Sequence, residues 1–297
     1  MKIIETLKEH LIAEFSFACT VPALLWITLF LCVPFFMMVV TSFYQPADYW
    51  WQSFTLSRYI VFLNAPYFFI LFRTLFLAFG TAMICLFLGY PVAYYLAVHV
   101  QRWKGFFLFL LTLPFWTNSI IQVYSWFFLL EYNGLINTLL LRFGLISQAI
   151  NMAYTFATVF LVMVYCYIPY MIMPIYSTLS KLDKRLLEAS MDLGATRWET
   201  FKRVTLPLSA PGIKAGVLLV LVPAFGDFAV PSLVGGSRYF TIGSLIVHYF
   251  TVIRETELGA ALVCFSGVIL LLCTLLWNFF FYNNAQAGNR ISYKDGL

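Results

Sequence analysis

The sequence predicts an all-α membrane protein with six transmembrane helices. Of the 297 residues, 62% are hydrophobic, 20% are aromatic and only 10% are charged, with a mean hydropathy of +0.86. That is more apolar surface than a water-soluble domain of this size can hide. Six apolar runs are long enough to cross a hydrocarbon core of about 30 Å, which takes about 20 residues of helix. Runs of this length point to helices, because barrel strands need only about 9 to 11 residues each.

Residues 1–16 alternate charge and hydrophobe, as in IIETLKEHLIAEF, and predict a short interfacial helix within an N-terminal segment 1–18. The first span, Cys19 to Phe43, is too long for a signal-peptide core and lacks a clear small-residue cleavage site, so it reads as retained. The others follow at Phe69 to Val98, Phe106 to Leu130, Ala153 to Ser177, Pro211 to Ser232 and Leu258 to Tyr282, with a tail over 283–297. Pro114, Pro169, Pro174, Pro223 and Pro231 each remove a backbone hydrogen bond and are expected to bend their helices. Around Pro114 lie Thr117, Asn118, Ser119 and Gln122, polar groups that a broken helix tolerates where it faces protein or a water-filled cavity. TIGSLIVHYFTVI is too short to span and is expected to lie along the outer interface.

An even number of spans puts both termini on one side. The opposite side holds Arg58, Arg73, Arg142, Arg238 and Arg254, which leaves thirteen of the 18 Lys and Arg residues with the termini. By the positive-inside rule both termini are cytoplasmic. The net charge of +5 follows from this asymmetry, and no basic face for nucleic acid is visible. The six cysteines all fall in apolar segments without CxxC or Cys/His spacing and read as packing residues, so no metal site is expected. His10, His99 and His248 are scattered near predicted interfaces and form no constellation.

One stretch breaks the apolar pattern. EASMDLGATRWETFKRVTLP, Glu188 to Pro207, carries six charges in twenty residues: Glu188, Asp192, Arg197, Glu199, Lys202 and Arg203. Asp183 is placed to cap a helix over KRLLEASMDL, and Gly194 to close it in a left-handed conformation. Thr196 and Glu199 form a T-x-x-E capping box for a second helix, RWETFKRV, which Pro207 is expected to end before Pro211 opens the fifth span. Leu186, Leu187, Ala189, Leu193 and Trp198 are too apolar for a freely solvated loop, and the charges forbid burial in lipid. A cytoplasmic surface of this kind, within 178–210, suits docking on another protein.

The spacing of Glu188, Ala189, Ser190, Gly194, Val204, Leu206 and Pro207 resembles the EAA signature of permease subunits of bacterial importers driven by ATP-binding cassettes. PALLWITLFLCVPF, LGYPVAYYLA, LPFWTNSIIQVYSWFFLL followed by NGLIN, YIPYMIMPIYSTL, LDKRLLEASMDLGATRW and VPAFGDFAVPSLVGG are similar to the polyamine (spermidine and putrescine) permease subfamily, over about residues 22 to 282. Gln122 departs from it, standing where many such permeases carry arginine. The resemblance implies a type I importer permease fold, with 1–297 as one transmembrane domain in a bacterial inner membrane and 178–210 as its coupling loop. Glu188, Ala189, Ser190, Asp192, Gly194, Ala195, Trp198 and Pro207 are the ATPase-coupling residues it implies. The implied partners are a dimer of ATP-binding subunits, a second homologous permease, a periplasmic or extracellular polyamine-binding protein and membrane lipid.

No G-x-x-x-x-G-K-[ST] loop occurs, so ATP and Mg are expected on the partner ATPase and no cofactor in this chain, a transport subunit and not an enzyme. Asp227 is the one acidic residue placed well inside a span. A carboxylate there costs about 2.5 to 3.5 kcal/mol on insertion scales, so it is expected to face a cavity or a partner. With Trp116, Tyr124 and Trp126 as cation-π faces and Glu131 extending the path, Asp227 suits a long polycation. The same architecture could serve another solute such as ferric iron. A self-contained channel or secondary transporter is the alternative class, and it leaves the charged helix pair without a purpose.

Overall fold

The computed structural model describes residues 20–44, 54–100, 102–236 and 239–294. The interfacial helix expected over residues 1–16, Cys19, His10 and Arg238 lie outside the described residues. Among the described residues the regular structure is helical, apart from one isolated antiparallel bridge between Tyr44 and Phe54. Two compact units are distinguished, residues 1–63 with 249–266, and residues 64–248 with 267–297.

The first unit contains α1 (Thr20–Phe43), which carries a π-turn at Thr28–Cys32, and the short α2 (Ser57–Val61). The Ser42 hydroxyl and the Tyr59 hydroxyl share a hydrogen bond of 2.8 Å, and the Arg58 guanidinium donates to the Tyr44 carbonyl. Phe62 is buried against Phe265, with ring centroids 5.5 Å apart.

The second unit is built on three long helices. They are α3 (Ala65–Val98), α7 (Phe156–Leu179) and α9 (Arg197–Gly226). Between α3 and α7 come α4 (Lys104–Trp116), α5 (Ser119–Leu130) and α6 (Leu135–Arg142). The short α8 (Lys184–Asp192) precedes α9. After it come α10 (Ala229–Val234) and α11 (Ile242–His248). The last helix, α12 (Thr256–Lys294), runs through the sixth predicted span.

The buried face of each long helix meets the other two. Ala82, Cys85 and Ala93 of α3 pack with Met171, Ile172 and Ile175 of α7 and with Val217 and Val220 of α9. Small residues let α7 and α9 approach closely, the means by which helices associate where lipid is as apolar as leucine. A Cβ on Gly212 would stand 2.8 Å from the Pro174 carbonyl oxygen, and one on Gly216, a turn later, 2.8 Å from the Met171 sulfur. Across the same core the Tyr90 hydroxyl pairs with the Ser209 hydroxyl at 3.0 Å.

The bend expected at Pro114 is present, and two other expectations, on Pro207 and on the segment from Thr241, are corrected. The third span is broken: Lys104–Trp116 and Ser119–Arg142 meet at 93°, because Pro114 weakens the last turn of α4 and Asn118 starts a new helix by accepting from the Ile120 N–H at 2.8 Å. Pro169 and Pro174 lie inside α7, which continues through both. Pro207 does not end the helix that begins at Arg197. A π-turn at Phe201–Thr205 passes the Leu206 N–H to the Phe201 carbonyl and carries the helix through Pro207 and Pro211 to Gly226. The segment beginning at Thr241 does not simply lie along an interface, since Ile242, Gly243 and Ser244 are buried and the Ile242 N–H donates to the Thr74 hydroxyl at 3.0 Å.

The approach of α7 and α9 yields a test. Gly212→Leu should destabilise the protein by about 1 to 3 kcal/mol, the usual cost of overpacking. Gly267→Ala, at a position with open space around it, should leave stability equal or slightly raised. Thermal unfolding of the detergent-solubilised full chain reads both, and equal melting temperatures for the two variants would refute the close packing.

Candidate functional site: a cavity between two helix breaks

Two interruptions in the helical backbone face the same space. One is the turn at Thr117 and Asn118 between α4 and α5; the other is at Asp227, extended, and Phe228, whose carbonyl accepts the Ser232 N–H at 3.0 Å, between α9 and α10. Between them lies a cavity of about 400 Å³ lined by Pro114, Phe115, Thr117, Ser119, Gln122, Val123, Cys166, Tyr167, Tyr170, Pro223, Asp227, Ala229 and Val230.

Asp227 is half-buried at this break. Its Oδ1 accepts the N–H groups of Ala229 at 2.9 Å and Val230 at 3.3 Å, capping the start of α10. Its Oδ2 accepts the Tyr167 hydroxyl at 3.1 Å. Behind the break, the Thr241 hydroxyl donates to the Asp227 carbonyl at 3.2 Å. Gly243 presses on the same backbone: a Cβ there would sit 2.5 Å from the Gly226 carbonyl oxygen and 2.8 Å from that of Asp227. Among the described residues lining the cavity, Asp227 is the one that carries a formal charge.

At the other break the Pro114 carbonyl, left without a helical donor, accepts from the Thr117 hydroxyl at 3.0 Å and from the Gln122 side-chain amide at 2.7 Å. The Gln122 amide also donates to the Thr117 hydroxyl oxygen. Phe115 meets Tyr170 edge to face with centroids 4.6 Å apart, closing the wall between α4 and α7.

The other residues predicted for the solute path are elsewhere. Trp116 is exposed and meets Phe109 edge to face at 6.2 Å. Tyr124 is exposed, and Trp126 packs on Tyr165 at 5.1 Å. Glu131 is the exposed C-cap of α5. None of these four is among the residues lining the cavity. Tyr167 and Tyr170, three apart on α7 and so on one face, were missed; the repeat in YCYIPY is the signal that marks them.

The charged segment before α9 is a second feature of the chain. Asp183 caps α8 by accepting from the Arg185 N–H at 3.0 Å, and Gly194 adopts φ +85° where the helix ends. Thr196 and Glu199 form a complete capping box, the Glu199 carboxylate accepting the Thr196 N–H at 2.9 Å. Ser190 and Thr200 hydroxyls, 3.1 Å apart, tie the two arms of the turn together. Leu186, Met191, Leu193 and Trp198 are left exposed; Leu193 shows 90% of its surface. Glu188, Ala189 and Asp192 are exposed, Ala195 is half-buried, and Pro207 is exposed just beyond the π-turn. Trp198 also stacks on Phe201 at 5.4 Å, and Phe201 sits edge-on to Tyr90 at 5.7 Å and Tyr94 at 6.2 Å.

Known proteins are similar to this chain in sequence and in fold. Residues 86–287 match the model of the binding-protein-dependent transport system inner membrane component. The chain is 41% identical over 252 residues to the spermidine/putrescine transport system permease protein PotB of Escherichia coli strain K12, covering 83% of this chain and 92% of that protein. It is 36% identical over 267 residues to the protein of the same name from Haemophilus influenzae, covering 89% and 92%. In fold it is similar to a chain of a bacterial ABC transporter involved in the import of the acidic polysaccharide alginate, with a TM-score of 0.77 over 94% of this chain and 99% of that one, at 16% identity. With the family model matched over residues 86–287 and curated relatives matched over most of its length, the chain belongs to the inner-membrane components of binding-protein-dependent transport systems.

Proposed function

We propose that the chain is a membrane-spanning subunit of an ATP-driven importer that carries polyamines, spermidine and putrescine among them, into the cytoplasm. The observation that carries the choice of a cationic solute is the cavity at the two breaks, whose one formal charge among the described lining residues is the Asp227 carboxylate. The named relatives, spermidine/putrescine permeases at 41% and 36% identity, narrow the cation to a polyamine.

In this reading both termini and the segment from Asp183 to Pro207 face the cytoplasm, in keeping with thirteen of 18 basic residues on that side. The chain works as one transmembrane permease domain beside a second, homologous permease, and an external binding protein delivers the solute. ATP and Mg are held by a dimer of ATPase subunits. The exposed Leu186, Met191, Leu193 and Trp198 enter a cleft of one such subunit. Closing of the ATPases moves the docked helix pair, and the contacting rings of Trp198, Phe201 and Tyr90 pass that motion to α3. Rocking of helices around the cavity then alternates access to it.

Uptake into vesicles holding this chain, its partner permease, the ATPase and the binding protein tests the reading, with spermidine, putrescine, ferric iron and amino acids as probes. Polyamine uptake that requires ATP is expected; uptake without the ATPase would sink the importer reading, and uptake of iron alone would reject the solute. Asp227→Asn keeps an acceptor for the two N–H groups and removes the charge, so polyamine uptake should fall about tenfold or more in an assembled complex. Gly194→Val forces a β-branched residue into φ +85° and should cost about 1 kcal/mol or more at the turn. With Trp198→Ala, it should reduce recovery of the ATPase on purification through this chain. Full recovery and normal uptake in both variants would contradict the docking role.

A further inference from the structure

Hydrogen-bond direction around the cavity adds a constraint beyond charge. The side-chain protons of Tyr167, Thr117 and Gln122 there are already committed. The Tyr167 hydroxyl gives its proton to the Asp227 Oδ2, and the Thr117 hydroxyl gives its proton to the Pro114 carbonyl. Gln122 directs its amide nitrogen to the Pro114 carbonyl and the Thr117 oxygen. A carbonyl can only accept, so this pairing fixes which end of the Gln122 amide is nitrogen and leaves Oε1 as its unspent group. What these groups leave for a solute is a set of lone pairs, the Gln122 Oε1, the Tyr167 oxygen and the Asp227 carboxylate, beside the Ser119 and Tyr170 hydroxyls that line the same cavity.

From this arrangement we infer that Gln122 is a specificity-determining residue, which with Tyr167 and Asp227 forms an all-acceptor cradle for one primary ammonium group. The inference rests on the reading of the chain as a cation importer and names the part of the cation that the cavity reads. A primary ammonium offers three N–H donors in a compact head, which matches three acceptors from α5, α7 and the break after α9. A quaternary ammonium of the same charge offers none. A carboxylate or phosphate would meet the like charge of Asp227 and find no donor among these three groups. Selection by donor count discriminates more sharply than apolar fit does, because a solute that lacks the donors strands polar groups in the cavity.

The test compares spermidine with an analogue whose terminal amines are trimethylated, in vesicles holding the complete transporter with its binding protein. The binding protein is the same throughout, so any change in the ratio of the two uptake efficiencies between wild type and variant belongs to this chain. The ratio is also independent of how much of a variant assembles. Gln122→Met should narrow the preference for spermidine about tenfold, the loss expected for one hydrogen bond to a charged group. Tyr167→Phe should shift the ratio in the same direction and serves if Gln122→Met fails to assemble. An unchanged ratio in an active variant would overturn the cradle while leaving the importer reading intact. A wild-type complex that takes up no spermidine under ATP would overturn both.

Discussion

The carboxylate of Asp227 stands where helical backbone hydrogen bonding stops, and the geometry of the cavity follows from it. Inside a bilayer every backbone N–H and C=O needs a partner, so a helix can open only where something else supplies one. At this break Oδ1 takes the Ala229 and Val230 N–H groups, and the Thr241 hydroxyl covers the Asp227 carbonyl. The close approach of Gly243 leaves no room for a side chain behind the turn. The second break follows the same rule, with Thr117 and Gln122 answering the Pro114 carbonyl. Polar side chains therefore sit in the cavity for a structural reason first, and their unspent lone pairs are what a solute meets.

The same economy links the charged segment to the helices. Phe201 opens the π-turn of α9 and lies between Trp198 on the exposed turn and Tyr90 on α3. Tyr90 in turn bonds Ser209 one turn into the apolar part of α9. Since α9 is continuous from Arg197 to Gly226, the proposed coupling would carry a displacement at the capping box along a single helix to the residue before Asp227. A helix ended at Pro207 would interpose a joint. The π-turn removes that joint by giving the Leu206 N–H a partner despite the proline that follows.

Much of this was legible in the sequence, and the failures share a cause. Lengths and apolar content place the helices, and local chemistry places the caps: Asp183, Gly194 and the Thr196–Glu199 box lie where their side chains and φ preferences put them. Asp227 stands out because a carboxylate in an apolar run is costly. What local pattern does not contain is which face of a helix meets which neighbour. Trp116, Tyr124 and Trp126 were chosen as rings near a break, yet their directions are set by the 93° turn after Trp116, a quantity no spacing encodes. Tyr167 and Tyr170 look like ordinary packing residues until α7 is laid against both breaks. Pro207 misled for a related reason, since whether a proline ends a helix depends on who answers the vacated carbonyl.

The donors on Asp227 also bear on how tightly a site of this kind should hold its cargo. A bare carboxylate in a low-dielectric cavity would bind a cation deeply, and a deep well is a trap: passage needs binding strong enough to enter and weak enough to leave. Three donors already share the Asp227 charge, two backbone N–H groups and the Tyr167 hydroxyl. Each lowers the attraction left for an incoming ammonium. A polyamine carries more than one positive centre, and a cradle for one ammonium engages one of them at a time. On the proposed reading, high affinity would be the task of a separate binding protein, while this cavity would check the head group and let the chain pass.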